Sequence, residues 1–487
     1  MNVERVASQG QPDKRIATGP SLRRSRGVFL LALLVLLALT RGALYVALTP
    51  PWQAPDEPQH YQMVRLLMEL GRIPQRSDAQ SAVALHETVV ASLSASGFWE
   101  IRHHLPRPQL EGAYSATAVL NAEKMMAAVD HPPVYYALAA LVLWPFSASS
   151  ILTQLYVLRF LSVLMSLVTI VAVYSVGNWL SPGRPARVWA AASLVVFLPM
   201  HSFATAALNN DALAEALAAL VFVLLAALWV HGLSAAQLIG LPVLVLLALL
   251  TKRTDLFLVP LVVGTLLGYF WVESRGDKRE CSEKNVNGHA TRSILVSFAV
   301  ILAVVVSIVL CDTLWWHWWG VIERFCDVCS LAWLSEVSLA EGASFILLGF
   351  ASFWGNFGWL NVPLDVSWYV ALAILSMVAI LGGAKGVWRL AHATHGATSR
   401  RCIWVICVFA LLSISVQAAM SVLSRRIPLQ GRYLFPAVVP IALCFTWGVF
   451  EWAPPRYHRL LLVVWIVWWV IFDWFAMFRY VLPHYYG

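Results

Sequence analysis

Long, nearly charge-free apolar runs constrain this chain more than any other feature. From Val28 to Leu48 a single charged residue, Arg41, interrupts the run. At about 1.5 Å per residue a helix of that length matches the roughly 30 Å core of a bilayer. Similar runs recur to the end of the sequence. Only 12% of the 487 residues are charged, against roughly 25% in a soluble globular chain, and 60% are apolar. A water-soluble fold of this size cannot hide so much apolar surface. The expected fold class is all-α, a polytopic transmembrane helical protein that uses the bilayer as solvent. The runs are continuous rather than alternating, which argues against a transmembrane β-barrel. The 23 Trp and 14 Tyr suit interfacial belts.

The formal charge of +8 does not point to nucleic acid. Lys and Arg sit in short clusters between apolar runs, the pattern that orients membrane proteins. Residues 1–27 form a basic N-terminal tail, read as cytoplasmic, and 28–48 the first transmembrane helix. A signal peptide is conceivable, but the run is long for one and no small-residue cleavage site follows. Residues 49–153 read as a large first extracytoplasmic loop with juxtamembrane helices. Its segment 49–130 carries six Lys/Arg and nine Asp/Glu and no spanning run. Residues 154–311 then hold transmembrane helices, 312–365 a second extracytoplasmic loop with a re-entrant or interfacial helix, and 366–487 the C-terminal helices. Further basic clusters at Arg184/Arg187, 275–292, 385–401 and Arg456/Arg459 are placed inside. About 11 crossings follow, near 28–48, 154–179, 188–207, 212–231, 238–251, 255–272, 293–311, 366–384, 402–422, 434–450 and 460–481. The stretches 131–146 and 344–360 are read as lying on or dipping into the outer face, giving up to 13 hydrophobic helices. Cys311, Cys402, Cys407 and Cys444 fall in apolar runs and read as packing residues.

Six polar constellations interrupt this pattern. Pro55-Asp56-Glu57-Pro58-Gln59-His60 follows the first helix. Pro58 suits a first helical turn with Asp56 or Glu57 as cap. Apolar residues at helical spacing continue to Leu70, where Gly71 and Pro74 end the helix. A cap plus a solvated acid would explain the pair; at membrane depth, however, carboxylates are costly and usually functional. Either acid is a candidate general base, with His60 on the same side to orient it or to join it on a metal. A divalent metal has little support, because no further spaced ligands are evident. His131-Pro132-Pro133 opens a second helix rigidly, whose N-terminus can attract an anion. Asn209-Asn210-Asp211 either caps the next helix or belongs to a site, and Glu215 four residues on is unusual within an apolar run. Thr251-Lys252 and Ser424-Arg425-Arg426, with Gln430-Gly431-Arg432-Tyr433, put cations on the outer side, against the usual bias, where they suit a phosphate. Phe353 to Trp359, aromatic and glycine-rich, fits either a wall for a lipid chain or sugar, or an interfacial belt. Cys326 and Cys329 could form a small disulfide. Walker A, Rossmann and HExxH patterns are missing from the sequence.

Together these motifs resemble the glycosyltransferase-C superfamily, which includes protein O-mannosyltransferases and lipid A aminoarabinose transferases. They match in particular a bacterial membrane family of unknown function placed beside it, with the pattern PPDEPxH, HPPxYY, NxD, TK, FWGxFGW and QGRY. Here Ala54 stands where the first Pro is usual. The resemblance covers nearly the whole chain; each motif is short, and their order makes the set specific. It implies a glycosyltransferase-C-like fold and a polyprenyl-phosphate-linked sugar donor. It implies transfer to a glycan, lipid or protein acceptor on the extracytoplasmic face of a bacterial cell membrane. Asp56 would be the base, with Glu57 as alternate. Lys252, Arg432 and Arg425 would hold the donor phosphate, and His131 and Asp211 would line the acceptor side. His60, Asn209 and Tyr433 complete the expected binding residues. Superfamily members differ over metal dependence, so no cofactor is expected. An oligosaccharide polymerase or ligase acting on a lipid diphosphate is the alternative enzyme. A transporter or flippase of lipid-linked glycans is the alternative of another class, disfavoured because its paired broken helices are not evident.

Overall fold

The computed structural model describes residues 20–103, 126–276, 302–303, 306, 338–392, 398–425 and 430–487, with some side chains at the margins excepted. The described chain is almost wholly helical. Helix α1 (Pro20–Leu48) is followed by the short helices α2 (Glu57–Leu70), α3 (Val83–Ala95), α4 (Phe98–His103) and α5 (Val134–Leu143). Then come α6 (Ile151–Leu180), α7 (Pro185–Phe197), α8 (Pro199–Thr205), α9 (Asp211–His231), α10 (Ala235–Leu249) and α11 (Leu258–Gly276). The last third holds α12 (Leu339–Trp354), α13 (Val366–Ala391), α14 (Thr398–Arg425), α15 (Val438–Phe450), α16 (His458–Ala476) and α17 (Leu482–Tyr486). One two-residue antiparallel pair, β1 (Asn356–Phe357) with β2 (Val362–Pro363), interrupts this pattern.

Among the described residues seven helical segments are long and apolar enough to cross a membrane, and an eighth crossing results if the pair α7 and α8, bent by 57°, counts as one. The bend falls at Leu198-Pro199, where proline cannot continue a helix. Two more of the eleven expected crossings, 238–251 and 402–422, coincide with apolar stretches shorter than a span, Gln237–Leu249 and Cys402–Val416. The expected crossing at 293–311 lies outside the described residues except for 302–303 and 306, and Cys311, Cys326 and Cys329 lie outside them. The two stretches read as interfacial form short apolar helices, Val134–Phe146 and Ala340–Trp354. Cys402, Cys407 and Cys444 are free thiols.

The helices pack through one extended core built from α1 and α6–α17, and a second apolar cluster beneath α2, α3 and α5. Small residues allow the closest helix approaches. A Cβ on Gly382 of α13 would stand 1.9 Å from the Gly448 carbonyl oxygen of α15, and one on Gly448 would stand 1.9 Å from the Ala379 oxygen. Such small-residue contacts are how apolar helices associate where lipid is as apolar as leucine. The aromatic–glycine segment is part of this core rather than a groove wall. Phe353, Trp354 and Phe357 are buried, with Phe357 edge-on to Phe203 and Trp354 stacked on Trp469.

Candidate functional site

The turn joining α1 to α2 is held in an uncommon backbone conformation. Trp52 and Asp56 have φ values of 69° and 65°, a left-handed region that few non-glycine residues adopt and that often marks functional segments. Trp52 is locked by its indole N–H on Ser92 Oγ at 3.0 Å. Asp56 occupies the N-cap position of α2, with Pro58 in the first turn, but its side chain makes no capping hydrogen bond. The carboxylate turns instead to Arg432, whose Nη2 donates to Asp56 Oδ2 at 2.6 Å. The cap expected of Asp56 is therefore replaced by a long-range ion pair. The far end of α2 closes at Gly71, left-handed as expected of a helix-stopping glycine.

Glu57 has a different environment. It is completely buried, and Arg159 of α6 holds it in a fork, Nε to Oε1 at 2.7 Å and Nη2 to Oε2 at 2.6 Å. The backbone N–H of Leu208 donates to the same Oε1 at 3.1 Å. Arg159 also donates to the carbonyls of Val46, Thr49 and Pro50. One guanidinium thus fixes the end of α1, the start of α2 and the loop before α9. With both oxygens engaged and no exposure, Glu57 offers less to an incoming hydroxyl than the more open Asp56 does. Arg159 was missed in the sequence, although an arginine within an apolar run is the signal that finds it.

Three distant segments gather at Asp56. Arg432 lies in the 3-10 turn Gly431–Ala437 that leads into α15. Its Nε donates to Gln430 Oε1 at 2.7 Å, and its Nη1 stands 3.8 Å from Asp211 Oδ2. Asp211, the first residue of α9, forms an ion pair with Lys252, which precedes the 3-10 turn Arg253–Phe257. Lys252 Nζ lies over the Tyr433 ring at 5.5 Å and the Arg432 guanidinium at 5.6 Å. Both are cation–π distances. Gly431 is required by a close crossing: a Cβ there would fall 2.1 Å from the Phe353 backbone nitrogen, and its N–H donates to Ser352 Oγ at 2.7 Å. That crossing seats Arg432 against α12. Of the members, Asp56 is the open one, its side chain 41% exposed against 9% for Arg432.

The histidines and asparagines stand behind this array. His60 Nδ1 bonds Tyr136 Oη at 2.7 Å, and its ring stacks on His131 at 5.7 Å. Burial, then the neighbouring His131, pushes His60 well below the ordinary imidazole range. Burial, with the Lys252 and Arg253 charges, brings His131 down to about 4. Both are neutral at pH 7. The Asp56 carboxyl is pushed up by burial, but the Arg432 charge and hydrogen bond outweigh this, and Lys252 adds to them, so it lies below the usual range. Asn209 shapes the turn: its Oδ1 accepts from the Asp211 N–H at 3.0 Å and its amide donates to the Ala204 carbonyl at 3.1 Å. Asn210 ties the same turn to the Thr251 carbonyl at 3.1 Å. At α5 the Val134 N–H is taken by the Leu250 carbonyl at 3.1 Å, so the donor expected to face an anion is used in packing. Glu215 is buried against His201 at 2.8 Å rather than facing an open space. The side chain of Arg425, at the end of α14, lies outside the described residues. Among the described residues no group of three or more His, Cys, Asp or Glu is placed to hold a metal ion.

Residues 36–441 match the family described as "Predicted membrane protein (DUF2142)", and the chain belongs to that family. No curated protein matches it. Among solved structures it is similar to the oligosaccharyltransferase of Archaeoglobus fulgidus. For the form tethered to an acceptor peptide the identity is 13% and the TM-score 0.45, over 94% of this chain and 55% of that one. For the apo form the values are 14% and 0.40 over the same shares. The chain spans about half the length of that protein.

Proposed function

We propose that this DUF2142 protein is an integral-membrane glycosyltransferase that moves a sugar from a polyprenyl-phosphate donor to a hydroxyl-bearing glycan, lipid or protein acceptor. One observation carries the reading: Asp56, Asp211, Lys252 and Arg432, far apart in sequence, form a single ionic array at one end of the helices. A polyprenyl-phosphate sugar reacts by breaking its C1–O bond as the phosphate leaves. Catalysis then requires cations where the phosphate charge develops, and Arg432 and Lys252 supply them. The acceptor hydroxyl must lose its proton as it attacks C1, and ionised, exposed Asp56 is the group to take it. Donor phosphate would compete with the carboxylates for both cations and so free Asp56 to act. Single displacement inverts C1; retained configuration in the product, read by NMR, would refute that step.

Which way the array faces follows from charge. Arg184, Arg187, Lys385, Arg389, Arg456 and Arg459 lie at the opposite ends of these helices, where Glu451 pairs with Arg187 and Arg389. The positive-inside bias puts that end in the cytoplasm. The Asp56 array is then extracytoplasmic in a bacterial cell membrane, with the N-terminus inside.

The deciding variant is Asp56→Asn. Asparagine tolerates the left-handed conformation, so the turn survives while the base is lost. We expect correct insertion and an unchanged size-exclusion profile, with transfer from polyprenyl-phosphate sugars reduced at least 100-fold. Full activity in that variant would overturn the reading.

A further inference from the structure

A second polar site lies on α2, away from the ionic array. A cavity of about 350 Å³ opens between α2, α3 and the start of α6, at the lower end of the roughly 300–1,000 Å³ typical of small-molecule sites. Tyr61, Arg65 and Glu69 line it from α2, Thr88 from α3, and Ser149 and Gln154 from the start of α6. None of Asp56, Asp211, Lys252 or Arg432 lines it. Arg65 is nine residues beyond Asp56, about 13 Å along the helix, and turned about 140° from His60.

The lining is balanced in charge and fixed in place. Arg65 and Glu69 pair at 3.1 Å, one helical turn apart, so a phosphate or carboxylate would meet Glu69 and a cation would meet Arg65. The Gln154 amide is held from three sides. Its Oε1 accepts from Tyr61 Oη at 2.6 Å and Arg65 Nη1 at 3.2 Å. Its Nε2 donates to the carbonyls of Ser147 and Ser149 at 3.0 and 2.9 Å. Arg65 Nη1 also donates to the Ser147 carbonyl at 3.3 Å, so the guanidinium is fixed as the amide is. Thr88 Oγ1 donates to the Ala84 carbonyl, leaving its oxygen to accept. Ala84, Leu85 and Ile151 make the rest of the wall apolar. A ligand that both donates and accepts, carries no net charge and has an apolar face fits this wall: a sugar ring.

We propose that this cavity binds an uncharged carbohydrate, as a subsite for the glycan acceptor. The word acceptor rests on the transferase reading above; the binding itself does not. The test is saturation-transfer NMR on the full chain in detergent micelles. Maltotriose and triacetylchitotriose serve as neutral probes and N-acetylneuraminic acid as the anionic one. We expect transfer to a neutral trisaccharide, with Kd at least ten-fold higher in both Glu69→Ala and Arg65→Met. The exposed Glu69 makes the first variant safe for folding, and size-exclusion profiles check both. Asp56→Asn should bind the sugar as wild type does. If it binds normally while transfer persists, the base assignment fails and the subsite stands. No transfer to either neutral sugar, preference for the anionic probe, or a Kd unmoved in both variants would overturn the subsite.

Discussion

Adjacent carboxylates here have opposite fates, and the difference is set by their partners. Asp56 and Glu57 are indistinguishable as a sequence pair. Their separation comes from Arg159, 102 residues away, which no local pattern connects to them. Because Glu57 is fully buried, removing its partner strands a charge. Arg159→Met should therefore destabilise the protein by about 3–5 kcal/mol, measurable as a fall in the detergent thermal midpoint, and Glu57→Gln should cost a similar amount, because it strands the Arg159 guanidinium, which cannot shed its proton. Acid should also weaken the fold. His131, at about 4 when folded against roughly 6.5 unfolded, binds a proton only in the unfolded chain between those values. Stability is thus fully present above about pH 6.5 and lost as pH falls towards 4, by about 3 kcal/mol at most. Asp56, also depressed, adds to the loss only below the ordinary carboxylate range. A His131→Asn variant should make the decline between pH 6.5 and 4 shallower in thermal-melt profiles, with His60, also depressed, supplying the remainder; an unchanged slope would show that His131 does not contribute.

At the level of elements, glycine explains what composition did not show. The motif Gln430 to Tyr433 was legible as a cationic segment between two apolar runs. That Gly431 is the contact point for the Phe353 backbone was not, because the partner is α12, which carries the aromatic motif. The two motifs are one packing unit, which is why the aromatics are core and not groove. Gly431→Ala should displace the 3-10 turn and with it Arg432, costing about 1–3 kcal/mol by overpacking and lowering donor affinity together with stability. Gly448→Val should separate α13 from α15 and reduce the yield of monodisperse protein, while Gly383→Ala, where a Cβ meets nothing within 4 Å, should be neutral. Long apolar runs were readable as helices because hydrophobicity alone specifies them in lipid. Helix breaks such as that between α7 and α8 were less so, since a single proline either kinks a span or divides it.

Taken as a whole, the molecule is polarised along its helices, with paired acids and bases at one end and a cation-rich cluster at the other. Cysteine labelling checks which end faces out. In a background with the native cysteines replaced, Ser149→Cys should react with an impermeant maleimide in intact cells, and Arg184→Cys only after permeabilisation; the reverse pattern would put the array in the cytosol. The first and last spans are also joined. Tyr45 of α1 donates to Asp473 of α16 at 3.1 Å across 428 residues of sequence, and Arg41 pairs with the same carboxylate. The two partners sit on spans far apart in the sequence, so the contact closes only when both spans are in place. Neither span can lose its polar residue without leaving the other's buried, so Asp473→Leu should lower the detergent thermal midpoint more than Arg41→Leu combined with Asp473→Leu does.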